Sequence, residues 1–328
     1  MTSLAGDQHG RTTSRLTFSG VEDLGGGLRA AFNYEVKLNP DSTSDNGLGG
    51  TRNMFLNLSG GFGAVTIGTY LNPIDSVRGF SAATYSAPGG DFLPNHIGIV
   101  SKALSIDELM ADGLTETQAK TFMSMLNNGL SGRSTNSIGY TTPSFGGFTA
   151  SIGMSQEKTS TSNTALDNKE GVIGSLAYAA GPLNARLAIG EGKVSVKTTA
   201  TNLSSAKLSD MAFAVSYDLG VAVPYIQHET TKTTVGNLDG QALSSSNFMK
   251  SSATELGAKF PMGAFTPYIT AGAGNFKSAD GKSKTSAFQV GTTYDLSKRT
   301  SVYAAAGQFK IKETLKTNGY KIGLIHNF

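Results

Sequence analysis

From residue 320 to the end of the chain, apolar or aromatic side chains recur at every second position. Tyr320, Ile322, Leu324, His326 and Phe328 share one parity, while Lys321, Gly323 and Asn327 share the other. Successive side chains of a strand point to opposite faces, so a period of two describes a sheet with one apolar surface. What constrains the fold is that the pattern runs to the last residue. A free chain end commonly frays. A sheet that spans a bilayer must instead pair its backbone by closing on itself, which leaves the final strand facing lipid to its tip. The C-terminal run therefore predicts a closed transmembrane β-barrel, with the terminal aromatic Phe328 as its candidate assembly signal.

Composition narrows the alternatives. Only 38% of the 328 residues are hydrophobic, and no apolar run approaches the roughly 18 residues of a spanning helix. Glycine reaches 41 and cysteine is absent, which removes disulfide and thiolate chemistry and suits an oxidising exterior. A net charge of +3 is too small to imply a nucleic-acid partner. The first residues, Met1 to Asp7, have neither the basic nor the apolar region of a secretory leader.

Short connections rich in Gly, Pro or Asp recur at 22–27, 60–63, 143–147, 180–182, 218–221, 260–264 and 295–300. Longer polar connections lie between them, at 38–50, 71–132, 157–168, 191–207, 230–250, 276–284 and 311–317. Short turns at one end and long loops at the other match a membrane barrel and imply about fifteen strands in a single domain, residues 1–328. Within 28–36, Leu28, Ala30, Phe32, Tyr34 and Val36 oppose Arg29, Asn33 and Glu35. Tyr140, Tyr178, Tyr217, Tyr294 and Phe328 are candidates for interfacial girdles. The 71–132 connection is too long to be passive. It carries capping-box spacings at Ser105/Glu108 and Thr115/Gln118, followed by a stripe of Phe122, Met123, Met125 and Leu126.

Other chemistries find little footing. The glycine run at 23–28 lacks the lysine and the helix of a phosphate loop. His9, His96, His228 and His326 are scattered without metal-ligand spacing. The oxygen-rich stretch 41–47 leaves weak calcium binding at an outer loop as the one cofactor to consider, although it lacks a glutamate at the twelfth position. No G-x-S-x-G elbow or other nucleophile arrangement points to an enzyme.

The sequence resembles a specific family. "SRLTFSGVEDLGGGLRAAFNYE" at 14–35, "RNMFLNLSGGFGAVTIG" at 52–68, "NSIGYTTPSFGGFTASIGM" at 136–154, "YDLSKRTSVYAAAG" at 294–307 and the final "IHNF" are together similar to the general trimeric porins of Gram-negative bacteria, the betaproteobacterial anion-selective type in particular. That resemblance implies a sixteen-stranded outer-membrane barrel that assembles as a homotrimer among lipid and lipopolysaccharide. It also implies that loop three, here 71–132, folds into the lumen. The expected function is passive diffusion of small hydrophilic solutes with a mild preference for anions. The alternative is a substrate-specific channel whose binding site is built by the enlarged loop.

By the same resemblance the constriction maps to Arg15, Arg52, Arg133 and Glu35, and from the sequence itself Asp75, Asp91, Asp107 and Glu108 of the long loop are candidates for an opposing acidic wall. Guanidiniums in a narrow low-dielectric pore raise local anion concentration without bond-making chemistry. Arg15 and Arg133 have inward parity. Arg52 shares the parity of Met54, Leu56 and Leu58, so only a bulge or its place at the strand's start would turn it inward. Thr69 stands where many relatives carry a basic residue. Residues 1–14 lack an alternating face and read as a loop, so the expected first strand would lie upstream of this sequence.

Overall fold

The computed structural model describes residues 14–39, 47–83, 90, 92–93, 96, 116, 130, 132–157, 168–197, 203–235, 248–278 and 281–328. Along these the chain forms β1 (Arg15–Gly25), β2 (Leu28–Leu38), β3 (Leu48–Gly60), β4 (Gly63–Leu71), α1 (Pro73–Arg78), β5 (Arg133–Thr141), β6 (Phe148–Glu157), β7 (Asn168–Ala180), β8 (Leu183–Lys197), β9 (Leu203–Tyr217), β10 (Val223–Val235), β11 (Phe248–Lys259), β12 (Phe265–Ser278), β13 (Gly281–Asp295), β14 (Thr300–Ile311) and β15 (Leu315–His326). The fifteen strands form one antiparallel sheet in sequence order. Among the described residues β1 and β15 are its two ends. Residues 1–13, where the sequence predicts a loop in place of a strand, lie outside the description.

All seven short turns fall where their Gly, Pro and Asp residues predict. At the first, Gly25, Gly26 and Gly27 all take positive φ, and the Asp23 carboxylate accepts the Gly25 N–H at 2.9 Å. The long connections are another matter. The ladder runs through much of 191–207, to Lys197 and again from Leu203, and it reaches Ser278 paired with Gly281 where a loop was expected. Polar residues there sit on a wall that continues beyond the bilayer, where an outward side chain no longer needs to be apolar although its backbone still pairs.

The outward face is read from exposure. Tyr320, Ile322 and Leu324 are 77%, 74% and 63% exposed, as the terminal pattern requires. The strand itself ends at His326. Phe328 lies two residues further, with its ring edge-on to His326 at 4.6 Å. Beside the short turns, Phe145, Phe148, Tyr217, Phe265 and Tyr294 are exposed together, as one girdle would be.

The inward face closes around the chain that leaves β4. Asn72 caps α1 by accepting the Asp75 N–H at 3.2 Å, and Pro73 supplies the first helical residue. Ile74 and Val77 then pack on Ile173 of β7, Ala188 of β8, and Ala212 and Ala214 of β9, where alanines let the helix approach the wall. Ala82 and Ala83 meet Tyr225, Tyr268 and Tyr303 of β10, β12 and β14. Phe92 and Leu93 meet Ala253, Ala287 and Phe309. One short segment thus touches β7 through β14 in turn, which only a sheet curved into a barrel allows.

Three tyrosines on this inner wall lie opposite glycines of the next strand: Tyr225 opposite Gly257, Tyr268 opposite Gly291 and Tyr303 opposite Gly323. Each ring fills the space a Cβ would need. The hydroxyls of Tyr225 and Tyr268 reach on to Glu255 at 2.6 Å and Gln289 at 2.7 Å. Gly291→Ala is therefore expected to lower stability by about 1–3 kcal/mol through overpacking. Gly174→Ala, whose added methyl would meet only the Ser151 carbonyl at 3.8 Å, should be nearly neutral. Heat-modifiability on gels compares the two.

Candidate functional site

Glu35 sits at the centre of a basic cluster on β1, β2, β3 and β5. Arg52 donates from Nε to Glu35 Oε1 at 2.5 Å, and Arg15 Nη1 donates to Oε2 at 3.4 Å. Arg133 Nη2 lies 3.9 Å from Oε1, while its Nε donates to Asn53 Oδ1 at 3.0 Å. The Glu35 side chain is only 7% exposed, whereas that of Arg15 is 42% exposed. Three guanidiniums share one carboxylate, so the cluster keeps an excess of positive charge, and Arg15 presents part of it to water. The four residues that the resemblance put at the constriction are thus brought into one group.

Two register shifts deliver them. Tyr34 pairs with Met54 but Val36 pairs with Thr51, so β3 carries one extra residue between these positions. This bulge turns buried Arg52 inward while Met54 stays exposed, and it breaks the strict alternation that argued against Arg52. On β5, Gly68 pairs with Ser137 and Tyr70 with Ser134, a second shift with Asn136 at φ 46. Parity counted back from Ser137 therefore does not reach Arg133. That residue joins the cluster from the first position of its strand.

A second ionic cluster pins α1 to the wall. Arg78 donates in a fork to Glu229 of β10, Nε to Oε2 at 2.7 Å and Nη2 to Oε1 at 2.5 Å, and its Nη1 meets Asp75 at 3.2 Å. Asp210 of β9 is buried alongside, with neither carboxylate oxygen meeting a donor among the described residues. Burial works against the charge on Arg78, yet Glu229, Asp75 and Asp210 more than offset it and hold the guanidinium above its ordinary value.

Of the four acidic loop candidates, only Asp75 lies within the description; its carboxylate accepts from Arg78 at 3.2 Å, and its charge also reaches Arg133 of the basic cluster. Asp91, Asp107 and Glu108, both capping boxes, the Phe122–Leu126 stripe and the oxygen-rich stretch at 41–46 lie outside the described residues. Sequence reading missed Lys37, which is paired across the ladder with Arg15 on the face of Glu35. It also missed Arg186, which shares the inward parity of Ala188 and lies 6.0 Å over the Phe80 ring. Lys37 was legible from the alternation in β2. Arg186 had no local signal.

Further along the inner segment His96 is fully buried. Its Nε2 donates to the Asn275 carbonyl at 3.3 Å, which leaves Nδ1 to accept from the Thr285 hydroxyl at 2.6 Å. Burial pushes its pKa from 6.5 down to about 4, against the bond to Asn275. A depressed folded-state pKa means that the released segment binds the proton more tightly. Docking is then fully supported above pH 6.5 and weakens as pH falls towards about 4. Single-channel records should grow noisier between about pH 7 and pH 5, and His96→Gln should remove that dependence.

Known proteins resemble this chain over most of its length. The profile of a family described as Gram-negative porin matches residues 2–314. Outer membrane porin protein 32 of Delftia acidovorans is 30% identical over 308 residues, covering 93% of this chain and 76% of that protein. An outer membrane porin protein of Bordetella pertussis is 26% identical, covering 96% and 82%. The solved structure of an anion-selective porin from Comamonas acidovorans superposes with a TM-score of 0.73 at 26% identity, over 97% of this chain and 90% of that one.

Proposed function

The chain belongs to the Gram-negative porin family, and from this membership we propose that its mild preference for anions is set by Arg15, Arg52 and Arg133 around Glu35. It is a β-barrel of the Gram-negative outer membrane that admits small hydrophilic solutes by diffusion. The relatives are channels, and we read no catalytic role in this chain. The observation that carries the site is the convergence of three guanidiniums on one carboxylate, with Lys37 beside them. Anions such as phosphate or small carboxylates would be concentrated by the field of that level without a fixed binding geometry.

The test is the reversal potential of the purified protein in a planar bilayer under a KCl gradient. A chloride-leaning potential is expected, and it should weaken as salt shortens the screening length. A potassium-leaning potential would discard the arginine site.

We also propose that three copies associate through the outer faces of β1 to β5, where Leu16, Phe18, Leu56, Ile67 and Leu71 are exposed apolar residues. A native mass three times that of the chain is expected. Exchanging Leu56 and Ile67 for lysine should lower it to that of a monomer. The remaining outer wall would face membrane lipid and lipopolysaccharide.

A further inference from the structure

Between α1 and the short turns, a cavity of 290 Å³ opens on the inner wall of β4 to β8. Ser76 of α1 bounds it at one end, and Thr149 of β6, close to the 143–147 turn, at the other. Arg186 of β8 lines the cavity and no carboxylate does. Its Nε is buried and meets no acceptor among the described residues, and none of their carboxylates forms an ion pair with it. Phe80 lies 6.0 Å from the guanidinium carbon. Stacking of this kind covers a face of the planar group and leaves its N–H edge available. One positive charge is thus held against a ring beside a cavity that supplies it with no counter-charge.

The other polar side chains of the lining, apart from Asn72, all carry hydroxyls. Asn72 is engaged in capping α1 and in donating to the Leu130 carbonyl. The bonds that the hydroxyls make leave both donors and acceptors for a solute. Ser76 Oγ donates to the Pro73 carbonyl at 2.7 Å and keeps its lone pairs. Thr66 Oγ1 accepts from Asn57 at 2.8 Å and keeps its O–H. Ser151 and Ser175, paired across β6 and β7, share one bond of 2.6 Å, so one of their two O–H groups remains to donate. A phosphate dianion or a bare carboxylate is an acceptor only and leaves the Ser76 lone pairs unmatched. A solute hydroxyl both donates and accepts, so it pairs with either kind of wall group. A single guanidinium balances a single negative charge.

We propose that this cavity is a binding site for a sugar acid, a small solute with one carboxylate held by Arg186 and several hydroxyls held by Thr66, Ser76, Ser151 and Ser175. Its volume matches about ten molecules of liquid water at roughly 30 Å³ each, which is room for one solute of hexose size. Occupancy places a bulky group in the lumen and screens the Arg186 charge, so chloride current falls while the solute is bound. The proposal rests on the porin reading and adds to its diffusion path one side pocket that retains a chemically defined solute.

The probe is glucuronate, added to both sides of a planar bilayer that holds the full chain in about 0.1 M KCl. The current is expected to fall saturably with glucuronate concentration. R186Q should raise the half-blocking concentration at least about tenfold, as the loss of a charge-assisted bond implies. S151A/S175A, which leaves every charge in place, should raise it at least about threefold. The turn-end control K298Q/R299Q should block like the wild type. Glucose, acetate and phosphate, which lack the charge, the hydroxyls or the donors of a sugar acid, should each block the wild type at least about tenfold more weakly. Conduction in KCl alone establishes that a variant is folded. An unblocked wild type, or unchanged block in a conducting R186Q or S151A/S175A channel, overturns the site and leaves the porin reading intact. Equally strong block by glucose, acetate or phosphate overturns the assignment to sugar acids. A wild type that does not conduct overturns the porin reading and this inference with it.

Discussion

Exchanging Arg15, Arg52 and Arg133 together for glutamine should collapse the chloride-leaning reversal potential towards zero. A unit charge about 5 Å from a passing ion contributes roughly 0.8 kcal/mol even at the dielectric constant of water, about a fourfold bias. Removing three such charges should lower the chloride-to-potassium permeability ratio at least about fivefold at 0.1 M salt. The fall should be smaller at 1 M, where the screening length is only about 3 Å. Lys37 and Glu35 then nearly balance, which is why the expected endpoint is neutrality. Adding Lys37→Gln should push the pore to cation preference. Glu35→Gln should act in the opposite sense, raising anion preference while loosening Arg52, whose Nε bonds to it at 2.5 Å. An unchanged ratio in the triple variant would mean that the selective level lies elsewhere in the lumen.

The second large effect is expected at the latch between α1 and the wall. Arg78→Met leaves Glu229 and Asp210 buried without the guanidinium they face, and breaking a buried pair from one side costs about 3–5 kcal/mol. The strain falls on the docking of α1, so the inner segment should leave the wall. The expected readouts are a lower temperature for conversion to the unfolded gel form and a larger, less steady single-channel conductance. Glu229→Gln should do much less. Asp75 and Asp210 still surround Arg78, and an amide can accept one of the two bonds. Equal effects from the two variants would show that the fork geometry matters more than charge balance.

The architecture was legible because barrel walls repeat a simple rule. Seven turns could be read from Gly, Pro and Asp, and the lipid-facing side from alternation such as Tyr320, Ile322 and Leu324. Loop bounds failed above the membrane, where Lys193 and Lys207 face outward on paired backbone and the hydropathy contrast disappears. Arg52 shows a different limit. Parity is a count, and one inserted residue inverts it without altering composition, so a bulge cannot be told from an outward residue until register is known. The Arg78–Glu229 pair joins positions 151 residues apart and leaves no periodic trace in either segment. Lys37 was a failure of reading rather than of information. It shares the parity of Glu35 on the same strand.

The tyrosines seated over glycines bear on how this wall finds its alignment. Backbone pairing in a long antiparallel ladder is nearly indifferent to a slip of two residues, because such a slip restores the same hydrogen bonds and the same faces. A ring that fits only over a bare Cα is not indifferent. Moving β13 by two residues against β12 would set Tyr268 over Gln289 or Thr293 instead of Gly291, and the ring would have no space to lie flat. Tyr225 and Tyr303 repeat the check on β11 and β15, so alternate seams of the last six strands each carry a tooth that seats in one notch and rejects its neighbours.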